Sequence, residues 1–117
     1  MTSEDFVSHV RSAVVQENPA IYKDLFESTT PETAHDPYWK RALTLYRSLN
    51  ETDRAVLFEI MRRVTVDTVS NLFAILDGVS SLEGLREEFV LTSRSDNMRL
   101  NGNLQDVFLE AEEQGRL

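Results

Sequence analysis

The sequence predicts a mainly α-helical fold, a compact bundle of five or six helices around one long central helix. Three observations predict it. Apolar residues recur at i, i+3, i+4 and i+7 in several segments, capping residues stand where those segments begin, and one pattern runs unbroken from Glu51 to Asp77. With 117 residues, 41% of them hydrophobic and 27% charged, the chain is expected to be a single helical domain over residues 1–117 with its own core.

The elements follow in order. Thr2 or Ser3 caps a first helix, with Glu4 and Asp5 suited to the positive end of its dipole. Phe6, Val10, Ala13 and Val14 form its apolar face, and it ends near Asn18. Pro19 then opens a second helix with Ile21, Tyr22, Leu25 and Phe26 inward, because a proline is tolerated in a first turn. Ser28–His35 is a loop. Asp36-Pro37 starts a third helix with a capping carboxylate and a proline at the first helical position, and Tyr38, Trp39, Ala42, Leu43, Tyr46 and Leu49 line it. Asn50 and Asp53 resemble a capping box at the head of the long helix, which Gly78 closes.

Projected at about 100° per residue, Leu57, Ile60, Met61, Val64, Thr68, Asn71, Leu72 and Ile75 share the expected buried face of that helix. The opposite face is polar at Glu59, Arg62 and Arg63, then apolar at Val66, Val69 and Phe73. A helix apolar on both sides is central or covered by a partner, so Val66 and Phe73 are candidate contacts of a homodimer. Beyond Gly78 a short helix is expected over Leu82–Glu88. Phe89–Leu91 and Met98–Leu100 flank a polar turn and are expected to pair as a β-hairpin. Asn103 and Asp106 cap a last helix with Leu104, Val107, Phe108 and Ala111 inward and Gly115 at its end.

The chemistry that these residues exclude is broad. With no cysteine there is no disulfide, thiolate nucleophile or cysteine metal site. His9 and His35 stand apart, outside any HExxH pattern, so no metal is expected. The four glycines form no phosphate-cradling loop, no GxSxG occurs, and no cofactor or catalytic residue is implied. The net charge of −8 opposes nucleic-acid binding, which needs clustered cations. No apolar run approaches the roughly 20 residues of a membrane span, and the acidic start lacks the form of a secretion signal. A cytoplasmic protein is the expectation.

Three constellations remain. Asp67 and Asn71, one turn apart on the long helix, are read either as a structural lock or, with Trp39 and Tyr38, as the lining of a small-ligand or enzyme site. In the lock reading, Asp67 reaches an arginine or backbone amides of the 79–103 segment. Asp106, Glu110 and Glu113 form an acidic stripe at i, i+4 and i+7 that repels itself, with Glu112 beside it. Arg86, Arg94 or Arg99 within the fold, or a basic protein outside it, would offset that cost. The leading expectation is therefore a non-catalytic interaction protein that binds a basic partner, in the manner of an immunity protein, and/or self-associates.

Overall fold

The computed structural model describes residues 1–79 and 87–115. They are mainly helical. The helices are α1 (Ser3–Val10), α2 (Glu17–Ser28), α3 (Pro37–Ser48), α4 (Glu51–Asp77) and α5 (Leu104–Gly115), with a π-helical segment, Arg11–Gln16, joining α1 to α2.

The expected break before Pro19 is absent, and α1, the π segment and α2 form one continuous run. Pro19 has no N–H to give the Val15 carbonyl, and its ring crowds that carbonyl. The widened turn ahead of it accommodates the defect, and the Glu17 amide donates five residues back, to Ser12. The same widening turns Val15 inward, leaving Ala13 and Val14 exposed where regular spacing had placed them inside.

The cap signals act as expected at three starts. The Thr2 hydroxyl accepts from the Asp5 amide and the Asp5 carboxylate accepts from the Thr2 amide, bonds that hold the Asp5 carboxyl below its ordinary pKa. Asp36 accepts from the Tyr38 amide and Asn50 from the Asp53 amide, both at 2.8 Å. Gly78 ends α4 in the left-handed conformation, at φ 79°.

Two separate apolar cores form along α4. In one, Phe26, Leu43 and Tyr46 pack with Trp39, Leu57, Phe58 and Met61. In the other, Val7 and Val15 meet Val66, Val69 and Phe73 of α4 and Leu104 and Phe108 of α5. Between them the buried side of α4 shifts by about a quarter turn, counted at roughly 100° per residue. The continuous stripe expected on α4 is thus corrected. Val66, Val69 and Phe73 are core, closed over by α1 and α5 of the same chain, while Val64, Thr68, Asn71 and Leu72 face solvent. The motive for a dimer through Val66 and Phe73 goes with that correction.

Nor is the bundle compact. Its radius of gyration is 17.9 Å, against about 13 Å for a globular chain of this length. One isolated antiparallel bridge, Thr92 to Arg99, stands where a hairpin was expected, and no strand forms among the described residues. Glu87 and Glu88 are not helical, and the rest of the expected Leu82–Glu88 helix lies outside the described residues.

Two side chains organise this C-terminal region. Buried Asn101 donates to the Leu76 and Phe89 carbonyls and accepts from the Leu91 amide, which secures the loop to the end of α4. Asp77 accepts from the amides of Gly102 (2.7 Å), Leu104 (3.1 Å) and Gln105 (2.9 Å). The start of α5 is therefore capped from the last residue of α4, in the place assigned to Asn103 and Asp106.

Candidate functional site

The open surface of the molecule is a groove of about 680 Å³ between α2, α3 and α4. Pro19 and Tyr22 come from α2, Tyr38, Arg41, Ala42 and Leu45 from α3, and Leu57, Ile60, Met61, Val64 and Thr65 from α4. The walls are helix faces placed by local signals. Asp36-Pro37 begins α3 so that Tyr38, Arg41, Ala42 and Leu45 share one side at i, i+3, i+4 and i+7. The tight Leu49-Asn50 connection then turns the chain into α4. Arg54 closes that corner, its Nε donating to the Tyr46 carbonyl at 3.0 Å while its guanidinium lies over the Tyr46 ring at 4.4 Å.

The groove is exposed as well as apolar. Tyr38 is 54% exposed, Leu45 56%, Ile60 54% and Val64 59%. Isolated apolar residues are ordinary on a surface, but a contiguous patch marks an interaction site. Its polar groups are the Arg41 guanidinium, the Tyr22 and Tyr38 phenols, Thr65 and Asn18. Such a lining selects by apolar fit with a few hydrogen bonds.

The residues singled out in the sequence scatter around this groove. Tyr38 lines it. Trp39 lines a separate cavity of about 260 Å³ with Leu25, Ala34 and Leu43, its ring 5.8 Å from those of Tyr22 and Phe26. Asp67 and Asn71 are exposed on α4 beyond the groove's Val64 end, and neither makes a hydrogen bond or ion pair among the described residues. The lock attributed to Asp67 is carried by Asp77 and Asn101. Asp67→Asn should therefore change stability by no more than about 0.5 kcal/mol, as exposed substitutions do. Urea denaturation would check this, and a loss above 1 kcal/mol would restore the lock.

On α5, Asp106, Glu110 and Glu113 face solvent as a stripe. Glu112 does not, being 2% exposed. Its carboxylate accepts from Arg11 Nε at 3.1 Å and from Arg62 Nη2 at 2.9 Å. No ion pair forms to Arg94 or Arg99 among the described residues, and Arg86 lies outside them. Sequence reasoning passed over both Glu112 and Asp77. The signals were Leu104, Phe108 and Glu112 at i, i+4 and i+8, and a carboxylate at the unfavourable end of the α4 dipole.

Among the described residues no group of three His, Cys, Asp or Glu side chains is placed to hold a metal ion, and no helix is long and apolar enough to cross a membrane. Comparison with family models, curated proteins and solved structures found no match to this chain.

Proposed function

We propose that this protein is a non-catalytic interaction module whose working surface is the groove between α2, α3 and α4. The observation that carries the reading is the run of open apolar side chains Tyr38, Leu45, Ile60 and Val64 along two facing helices. An apolar trough between helices receives an amphipathic helix, whose anchors repeat every three to four residues. The net charge of −8 steers encounter towards a basic protein, and the stripe Asp106, Glu110 and Glu113 extends that field on α5. The cytoplasm is the proposed setting.

The groove volume also favours a second reading, since small-molecule sites run from about 300 to 1,000 Å³. That reading moves the ligand site away from Asp67, Asn71 and Trp39 and keeps only Tyr38.

Photo-crosslinking separates these. A photoreactive side chain at Leu45 or Val64 should yield polypeptide adducts in the native host, and one at Glu110 should not. Adducts from Glu110 alone would transfer the working surface to the acidic stripe. A small-molecule adduct in place of polypeptide ones would establish the second reading.

A further inference from the structure

We propose that the occupant of the groove is a second copy of this chain, its α4 laid antiparallel against the first about a two-fold axis midway between Ile60 and Val64. This rests on the groove being the working surface, and names what fills it.

The first support is area. The chain exposes 8477 Å² at 13.4 kDa. A compact monomer of that mass exposes roughly 6,500 Å². The difference, roughly 2,000 Å², exceeds the roughly 800 Å² per partner that a stable interface covers.

The second support is the spacing of the open stripe on α4. Asp53, Leu57, Ile60, Val64, Asp67 and Asn71 alternate at four and three residues, the spacing of a coiled-coil seam. All but half-buried Leu57 are exposed. Antiparallel pairing about the stated axis sets Ile60 against Val64 of the second copy, twice, as an apolar centre.

The third support is polar complementarity in that same register. Asn71 faces Asp53 of the second copy, an amide donor against a carboxylate. Asp67 faces the level of Leu57 of the second copy, where Arg41 lines the groove wall. Each polar end of the stripe thus meets a group of opposite character, and an isologous interface makes each such pair twice. Arg63 flanks the axis in both copies, with Asp67 one turn away on its own helix to offset it. The acidic stripe of α5 packs behind α4, on the Val66–Phe73 side, which keeps the largest like charges apart.

Sedimentation velocity of the purified full chain should show a dimer at tens of micromolar. Arg41→Asp or Asp67→Arg should each weaken it by about tenfold or more, and the two together should recover most of the loss. These positions are exposed, so circular dichroism should show every variant folded. Because the chain has no cysteine, a short bismaleimide added to mixed Ile60→Cys and Val64→Cys singles should link 60 to 64, whereas a Val14→Cys control should not react across copies. A wild type monomeric at 200 µM (a proposed assay concentration), or a dimer without charge-swap rescue and without the 60–64 link, would overturn the proposal. Crosslinks from Leu45 to a different polypeptide would then leave the groove reading standing, while no polypeptide crosslink at all would remove both.

Discussion

Glu112→Gln should lower the unfolding free energy by about 3 kcal/mol, the low end of the cost of removing one member of a buried ion pair. The two oxygens of Glu112 are committed to different elements, one to Arg11 in the π segment and one to Arg62 in α4. Glutamine keeps the volume and one acceptor but turns an NH₂ group towards an arginine, so donor meets donor. Arg62, with its side chain 45% exposed, regains water easily, whereas Arg11 at 19% does so less well, which sets the low end of the range. The midpoint of thermal unfolding should fall by roughly 10 °C or more. Glu113→Gln, one residue on and exposed, is the control and should stay within about 0.5 kcal/mol. Equal losses at the two positions would mean that the buried carboxylate does not join the three elements.

Asp77→Ala comes next, with an expected loss of about 2–3 kcal/mol, the sum of a lost helix cap and a further amide left without its acceptor. One carboxylate satisfies three backbone amides at the head of α5, and Leu104, among those residues, is fully buried. Asp77→Asn keeps a single carbonyl oxygen and should lose about half as much. Hydrogen exchange gives the local readout: the Gly102, Leu104 and Gln105 amides should lose protection in the alanine variant before those of α4 do. Unchanged protection at all three would show that another group can cap the helix.

What the sequence announced and what it concealed divide by range. Asp36-Pro37, Asn50 and Gly78 act within one turn of themselves, and their helix boundaries were legible. Asp77 works on partners 25 to 28 residues away, and Glu112 on arginines 50 and 101 residues away. Local pattern contains no term for such distances. The second half of α4 was ambiguous for a different reason. Val64, Leu72 and Ile75 on one side and Val66, Val69 and Phe73 on the other are equally apolar, so only the positions of α1 and α5 choose between them. Tyr38 was legible as part of the site, but Leu45, Ile60 and Val64 read as core and proved to be its open walls.

The π segment carries a consequence for how this chain can change in length. Such a turn is an α-helix holding one residue more than it needs. Delete exposed Ala13, and the Ser3–Ser28 run regains uniform α geometry, while every side chain after the deletion rotates by about 100° about the axis. Phe26 and Tyr22 would leave their aromatic cluster while Val7 stayed in its own core, so the two cores could not both be filled. Substitutions at Ser12 or Ala13 touch only solvent and leave that phase intact. The run therefore tolerates spelling errors but not frame errors: its length is held by the angular offset between two distant cores.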